Sequence, residues 1–398
     1  MKIRNKKAWK TAQWEYEELV AQGMMPFFGD RLSPEEIIEQ LEMIIKDCPH
    51  FYPALLDLEL RKLTAGGNGG AERRLEEGFY HLLELAEPEH MEEELDTLIE
   101  NLEKLWRFDL SKRFLEVLVE RHPRNASFQD SLAHATARTG DVNGALHYIN
   151  KAVELEPENA HFRSNQGWLH MMAGNLKEAR EALEAAAGLD PVNEVVKGNL
   201  EIYDYLNAHG GNYLDYLLRP AEKEKIEELG NEEAWEEVDR LCALYNDCRF
   251  EAMAQAFLQG DAGNVSRLAD KLATLREFFG FVRKVDQDAN LNEDLTFIHE
   301  YFEPIMHKFI FKFSDIDREM IEEIYEALIE YYGFLASREL VPSEDFKRFQ
   351  KKILGMKKVL IKKMQRYNQI RHNNDISDEE KEVIREELFD GDHVWPFL

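Results

Sequence analysis

The segment His299-Glu300-x-x-Glu303 comes closer than any other pattern in this chain to a catalytic metal site. Zinc proteases place two histidines one helical turn apart, with a glutamate beside the first, because both imidazoles must reach the same ion. Here Glu303 stands where the second histidine is required, His307 comes a turn too late, and Pro304 disturbs the helix. The pattern therefore predicts no zinc site.

Two loops have the composition of ligand-binding loops but lack the residues that would hold the ligand. Residues 65–70 (AGGNGG) are glycine-rich, yet Ala-Glu-Arg follows them where a phosphate-binding loop needs Lys-Ser or Lys-Thr. A calcium-like run begins at Asp286, but Leu291 replaces the glycine of the sharp turn and Phe297 replaces the closing glutamate. We predict a flexible turn at the first loop and no calcium at the second.

The nucleophiles are equally sparse. The chain has three cysteines, Cys48, Cys242 and Cys248. Cys242 and Cys248 are six residues apart in a predicted helix and lack clustered histidines, so these two are predicted to be buried structural thiols. No nucleophile elbow, dinucleotide fingerprint or acid–base pair is present. The sequence predicts no catalytic residue, no metal site and no cofactor, and so a protein that is not an enzyme. The scarcity of cysteine favours the reducing cytoplasm.

Charge restricts the possible partners. The chain has 49 basic and 78 acidic residues, a formal net charge of −29. An acidic surface repels phosphates, so general nucleic-acid binding and docking on anionic membranes are not expected. The basic N-terminus lacks the apolar stretch of a signal peptide, and no apolar run is long enough to span a membrane.

A fixed period of 34 residues is the strongest pattern in the sequence. Pro123, Pro157 and Pro191 follow one another at this spacing, and Gly140 is followed by Gly174. The phrases around the prolines also match: RHPRNA, LEPENA and LDPVNE. The same spacing relates two pairs of small residues, Ala145 with Ala179 and Ala152 with Ala186. Two helices joined by a glycine turn and ended by proline explain the period.

This pattern resembles the tetratricopeptide repeat, a helix–turn–helix unit that buries its apolar face by stacking on its neighbours. The match is clear over residues 126–193, and the segments 52–88, 92–125 and 194–218 are identified as degenerate units. In the unit 92–125 Trp106 stands where a small residue is expected. The resemblance implies an all-α fold, a solenoid of such units followed by a helical C-terminal domain.

The predicted organisation has four parts. Residues 1–32 form an N-terminal helical segment and 33–125 hold degenerate helical repeats. Residues 126–218 carry the clear repeats with a capping helix, and 219–398 form the C-terminal α-helical domain. In this last domain helices are predicted at 221–229, 231–258, 263–284, 293–309, 316–339, 343–371 and 377–389, with Pro304 expected to kink or break one of them.

In proteins of this family the first helices of successive units line a concave groove that holds a peptide or helix of another protein. By register the resemblance assigns the groove here to Ser127, Asp130, His134, Arg138, His161, Ser164, Asn165, Trp168, Met171, Met172 and Tyr205. Aromatic and methionine side chains beside an arginine are typical of an interaction surface. The alternative is that the C-terminal half folds back and fills the groove.

Residues 346–371 contain ten Lys or Arg and no acidic residue, with apolar residues at three- and four-residue steps. They predict a basic amphipathic helix. Its basic side chains include Lys351, Lys352, Lys357, Lys358, Lys362, Lys363 and Arg366. Such a helix either neutralises acidic faces of its own chain, binds an acidic partner, or contacts nucleic acid or an anionic membrane.

These observations predict a cytoplasmic scaffold or adaptor that binds another protein in the groove of its repeats. The second hypothesis is a regulator that contacts nucleic acid or an acidic partner through the helix 346–371. Exposure of the lysines of this helix would favour that second hypothesis.

Overall fold

The computed structural model describes residues 6–24, 32–64, 69–86, 88–260, 264–285, 291–313, 316–371, 373 and 375–389. All of the regular secondary structure in these residues is helical, as the sequence predicts. The chain divides into two compact units, residues 1–139 (unit 1) and 140–398 (unit 2). This division lies inside the predicted domain 126–218, so the predicted domain boundaries stay a prediction.

Unit 1 is a succession of helices of 13 to 19 residues. They are α1 Lys6–Met24, α2 Pro34–Asp47, α3 Tyr52–Thr64, α4 Gly69–Leu85, α5 Pro88–Lys104, α6 Phe108–Arg121 and α7 Ala126–Arg138. The N-terminal α1 packs on α2 and on the start of α3 through a cluster that includes Leu19, Leu41 and Phe51.

Unit 2 begins with five helices of the repeat region: α8 Val142–Leu155, α9 Ala160–Met172, α10 Leu176–Leu189, α11 Glu194–His209 and the short α12 Tyr213–Leu217. The helices that follow are α13 Lys223–Asn231, α14 Trp235–Gly260, α15 Val265–Val285, α16 Leu295–Pro304, α17 Ile310–Phe313, α18 Arg318–Ser337, α19 Ser343–Arg371 and α20 Asp378–Leu388.

An asparagine starts three of the repeat helices. Asn125, Asn159 and Asn193 are 34 residues apart and are the N-caps of α7, α9 and α11, where each side chain accepts hydrogen bonds from amides of the first turn. A capping side chain of this kind stabilises a helix by about 1 kcal/mol. Each asparagine stands two residues after one of the periodic prolines, which explains the repeated phrases in the sequence.

The small residues of the repeat mark close helix contacts. In unit 2 a Cβ added at Gly167 of α9 would lie 2.6 Å from Cγ of Leu183 in α10. Ala179 and Ala186 of α10 are completely buried. Helices can approach this closely only where one side chain is missing or small, as the sequence pattern predicts.

The helix that contains Pro304 is the main irregular element of unit 2. The α-helical pattern ends at Pro304, continues as a π turn over Ile305–Phe309, and resumes in α17. Proline has no amide hydrogen to donate to the preceding turn, so the α-helical pattern is interrupted there. The helical backbone thus continues through Pro304 with a change of hydrogen-bonding pattern rather than a break, and the helical assignment of residues 308–313 is confirmed.

Unit 2 is held together at a fully buried arginine. The Nε of Arg249 in α14 donates to Glu293 at 2.7 Å, and its Nη atoms donate to the carbonyls of Leu217 and Arg219. The exposed fraction of the Arg249 side chain is 0% and that of Glu293 is 5%. The ion pair therefore connects α14 to the segment before α16, and the hydrogen bond from Arg249 to the carbonyl of Leu217 connects α14 to α12. No helix in the described parts of the chain is long and apolar enough to cross a bilayer.

Candidate functional site

A tryptophan occupies the turn between α5 and α6. Trp106 has a φ of +59°, in the left-handed region. Its amide donates to the carbonyl of Glu103 at 2.9 Å, and the amide of Arg107 donates to the carbonyl of Leu102 at 2.8 Å. These two bonds close the C-terminus of α5 in the way that usually requires a glycine.

The following units have glycine at this position. Gly140 and Gly174 lie 34 and 68 residues after Trp106, with φ of +92° and +79°. A left-handed conformation costs a residue with a Cβ about 1–2 kcal/mol. Two other described residues besides glycine share it, Glu233 and Glu339, and both are exposed. The prediction that Trp106 stands at a small-residue position of a degenerate unit agrees with this geometry.

The Trp106 ring lies beside Arg138, the last residue of α7. The guanidinium carbon of Arg138 is 6.0 Å from the centroid of the Trp106 ring and 5.9 Å from that of Phe108. The two rings meet edge to face at 5.5 Å. Trp106 and Arg138 are both half-buried. Part of this cationic and aromatic surface therefore remains accessible to a partner.

A chain of polar contacts fixes the arginine. Nε of Arg138 lies 3.4 Å from Nε2 of His134, and Nδ1 of His134 lies 3.3 Å from a carboxylate oxygen of Glu103. The hydroxyl of Ser111 donates to the other oxygen of Glu103. An imidazole with its hydrogen on Nδ1 satisfies both of its contacts. We call Glu103, Trp106, Phe108, His134 and Arg138 the Arg138 cluster.

The Arg138 cluster contains two predicted groove residues, His134 and Arg138, and three residues that the sequence did not assign. Of the other predicted positions on α7, Ser127 is exposed and Asp130 is buried with 9% exposure. A sequence signal for Trp106 existed, because it precedes Gly140 by one period. Glu103 and Phe108 gave no such signal.

Three predicted groove side chains of unit 2 are buried. Trp168 is 8% exposed and donates from Nε1 to the hydroxyl of Tyr213 at 3.0 Å. Ser164 accepts a hydrogen bond from Asn199 at 2.9 Å, and Met171 is completely buried. Their burial leaves them little surface to offer a partner in this conformation.

The remaining predicted side chains of unit 2 are at least partly accessible. His161 is exposed and lies 3.1 Å from the amide nitrogen of Asn165. Met172 is half-buried. Tyr205 stacks on His209 with a centroid distance of 4.3 Å.

Within unit 2, the cover of Trp168 comes from α12. Tyr213 contributes its ring, with a centroid distance of 6.4 Å, and Leu217 at the end of α12 accepts the hydrogen bond of Arg249. A Cβ built on Gly140 would meet the side chain of Leu258 in α14 at 3.5 Å. The cover of Trp168 thus comes from the predicted capping segment 194–218, and Gly140, which α14 approaches, is not a predicted groove residue. The hypothesis that the C-terminal half fills the groove stays a prediction.

The inner lysines of α19 are bound within unit 2. Lys352 donates to the carbonyl of His299 and Lys363 to the carbonyl of His307, both at 2.5 Å. The ammonium of Lys357 lies 5.5 Å from the centroid of the Tyr325 ring. Together with the buried apolar face of α19, these contacts support the hypothesis of a core helix.

The outer face of α19, unlike the inner face, carries exposed lysines. Lys351, Lys358 and Lys362 are exposed, and no ion pair to them is found in the described part of the chain. Two large apolar side chains lie among them: Leu354 is 48% exposed and Val359 60%. Arg366, further along, pairs with Glu387 at 2.9 Å. The result is a basic and apolar stripe on an otherwise acidic protein.

The histidines of the zinc-protease-like pattern, His299 and His307, lie beside basic side chains. Burial lowers the pKa of His299 and His307, and the neighbouring lysines Lys352 and Lys363 lower the same two pKa values further. No group of three or more His, Cys, Asp or Glu suited to a metal ion occurs among the described residues. The calcium-like residues 286–290 and residues 65–68 of the glycine loop lie outside the described residues.

The three cysteines are free and buried, as the sequence predicts for Cys242 and Cys248. Burial raises the pKa of Cys242 to about 11, and it raises the pKa values of Cys48 and Cys248 as well. A thiol with a raised pKa is a poor nucleophile at neutral pH.

Comparison with known proteins agrees with the repeat pattern. A tetratricopeptide repeat family model matches residues 131–194. MamA 41-end from Desulfovibrio magneticus RS-1 is 18% identical, with a TM-score of 0.34, over 47% of this chain and 98% of that chain. A search of curated proteins gave no significant match.

Two further solved structures cover more of the chain. The P58(IPK) TPR domain is 12% identical, with a TM-score of 0.23, over 90% of this chain and 99% of that chain. The structure of Naa15/Naa10 bound to HypK-THB is 15% identical, with a TM-score of 0.31, over 90% of this chain and 65% of that chain. The assignment rests on the family match and on the helix pairs rather than on these superpositions. Residues 131–194 therefore match the tetratricopeptide repeat family, and the helix pairs of this region agree with that match.

Proposed function

We propose that the chain is a protein-interaction scaffold and that the Arg138 cluster is its principal recognition surface. The observation that carries the proposal is the half-buried guanidinium of Arg138 lying over two aromatic rings. Arginine and tryptophan are enriched among the residues that dominate binding energy at protein interfaces. The partner is a peptide or helix of another protein.

The geometry of the cluster suits recognition because it is already fixed without a partner. His134 and Glu103 hold the guanidinium from one side, and the two rings support it from the other. A side chain that is immobilised beforehand loses less entropy on binding. The strained backbone of Trp106 supports the same proposal, since unusual backbone conformations concentrate at functional sites.

The test is an affinity capture from nuclease-treated lysate, read by mass spectrometry. Wild type is compared with Arg138→Glu and with Trp106→Gly, which keeps the turn and removes the ring. Arg180→Glu, an exposed arginine of α10 paired with Glu184, is the charge-matched control. A protein lost with both cluster variants and kept with the control supports the proposal.

The captured protein is then purified and titrated against each variant. We expect Arg138→Glu to weaken binding by about 2 kcal/mol or more, the range of a dominant interface residue. Capture of the same proteins by wild type and both cluster variants would refute the proposal. Trp168→Ala is unsuitable for this purpose, because Trp168 is buried and its loss would disturb the fold.

A second candidate function is supported by the outer face of α19. The exposed lysines and the apolar Leu354 and Val359 fit an acidic amphipathic segment better than nucleic acid, which offers no apolar stripe and faces a chain of charge −29. The variant Lys351→Glu/Lys358→Glu/Lys362→Glu tests it in the same capture. Loss of a nucleic acid instead of a protein, seen when nuclease is omitted, would favour the other partner class.

A further inference from the structure

Two histidines of unit 1 face each other away from the Arg138 cluster. His50 lies in the turn between α2 and α3, and His81 lies on α4. Nδ1 of His50 is 3.3 Å from Nε2 of His81. The ring planes are 77° apart and the ring centroids are separated by 4.8 Å.

Buried neighbours fix the backbone of both histidines in place. The turn that carries His50 is closed by a hydrogen bond from the amide of Phe51 to the carbonyl of Cys48, and both of these residues are buried. His81 stands between Phe79 and Leu82, which are completely buried. The backbone positions of His50 and His81 are therefore set by the fold.

The contact between α3 and α4 is close. A Cβ added at Gly78, one turn before His81, would lie 2.8 Å from a methyl carbon of Leu56. Helices packed this tightly do not separate without loss of core contacts. The packing of α3 on α4 therefore holds the backbone that carries His81 close to α3.

The distance itself fits two ligands of one ion. Zinc–nitrogen bonds of 2.0–2.1 Å with tetrahedral angles place two ligand nitrogens about 3.3–3.4 Å apart. Without an ion, the same contact is a hydrogen bond between the two rings, and the tautomers decide which ring donates. A bound ion would replace that hydrogen bond.

The electrostatic surroundings suit a cation. Glu84 and Glu77 interact electrostatically with His81 and bring negative charge to this region. No third His, Cys, Asp or Glu joins the pair within the described residues, so water would complete the coordination.

We propose that Nδ1 of His50 and Nε2 of His81 form a binding site for one divalent transition-metal ion of the class that prefers imidazole nitrogen. Zinc is the probe, since a tetrahedral ion fits the observed distance. The bound ion links the α2–α3 turn to α4. The site is independent of the proposed scaffold function, since it shares no residue with the Arg138 cluster.

Isothermal titration of the full chain, freed of metal with EDTA, with ZnCl₂ tests the proposal. Wild type is compared with His50→Gln and His81→Gln, and with His147→Gln, an exposed histidine of α8, as the matched control. We expect one binding event that both site variants lose and the control retains. His50 is exposed, so its replacement leaves the core intact and the loss cannot be attributed to unfolding.

Thermal unfolding gives an independent readout. An ion that binds only the folded chain raises the melting temperature, so zinc should raise it for wild type and His147→Gln and leave it unchanged for the two site variants. Equal zinc binding by all four proteins would show only adventitious coordination and would overturn the proposal. The absence of binding to wild type would overturn it as well.

Discussion

The first helices of two successive repeats place different chemistry at equivalent positions. His134 of α7 and Trp168 of α9 are one 34-residue period apart, as are Arg138 and Met172. In unit 1 the α7 residues remain half-buried beside Trp106. In unit 2 Trp168 is covered by Tyr213. Repeat register determines which residues occupy equivalent positions, and the surrounding helices determine which of them stay accessible.

Two arginines, one buried and one half-buried, extend this contrast. Arg249 is fully enclosed, and its donors are used by a carboxylate and two carbonyls. Arg138 is held by one histidine and two rings and keeps an accessible side. Removing the partner of an arginine of the first kind leaves a buried charge uncompensated and destabilises the fold, whereas an arginine of the second kind is suited to recognition.

The largest effect is expected at Trp168. The variant Trp168→Ala should lower the free energy of unfolding by about 3–5 kcal/mol, because it leaves a cavity and removes the partner of Tyr213. Urea denaturation measures the change. The control is Trp235→Ala at the start of α14, which is 50% exposed and should change stability by less than about 0.5 kcal/mol. Similar values for the two variants would contradict the burial of Trp168.

The next effect concerns the helix contact inside the α9–α10 unit. Gly167→Ala should destabilise unit 2 by about 1–3 kcal/mol, since the new Cβ meets Leu183. Its control is Gly198→Ala in α11, where no atom lies within 4 Å of the added Cβ. There alanine should raise the free energy of unfolding by about 0.4–1 kcal/mol. Chemical denaturation measures both changes in the free energy of unfolding, and changes of the same sign would show that the packing argument is wrong.

A smaller difference is expected at Trp106. Both Trp106→Gly and Trp106→Ala lose the indole, but only alanine retains the left-handed penalty. The glycine variant should therefore be more stable than the alanine variant by about 1 kcal/mol. Because both variants lack the indole ring, the difference between their denaturation midpoints measures the backbone penalty alone. Equal stability would mean that the turn relaxes and that Trp106 is not strained.

The smallest effect is a pH dependence from His170 of α9. Burial lowers the pKa of His170 in the folded chain, and the nearby Glu178 only partly offsets this effect. The unfolded chain then binds a proton that the folded chain does not bind, so stability falls as the pH drops below about 6.5, the usual value for histidine. Wild type should lose more stability between about pH 7.5 and pH 5.5 than His170→Gln.

The control for His170 is His147→Gln, which lies on an exposed surface. It should follow wild type across the same pH range, measured by urea denaturation at each pH. An identical pH profile for wild type and His170→Gln would show that the buried imidazole does not contribute to the acid sensitivity of unit 2.

Local physics made the repeat predictable. A proline stops a helix, an asparagine caps the next one, and a glycine permits the turn, so the period appears directly in the sequence. For the same reason Pro304 could be recognised as an irregular point in its helix. Each of these effects depends on residues within a few positions of one another.

The Arg138 cluster could be predicted only in part. His134 and Arg138 were found because repeat register places them on the first helix of a unit. Glu103 and Phe108 join them from the ends of α5 and α6, and no local pattern marks them. The same limit applies to Trp168, whose burial depends on Tyr213, 45 residues away.

The sequence by itself determined the helical class, the repeat and its caps, because these follow from propensity, periodicity and residues close together in the chain. Only the tertiary structure decided which equivalent positions are buried and which are accessible. It also decided which lysines of α19 are bound by carbonyls and that His50 faces His81. Accessibility and pairing depend on contacts between distant segments, and a linear pattern does not contain that information.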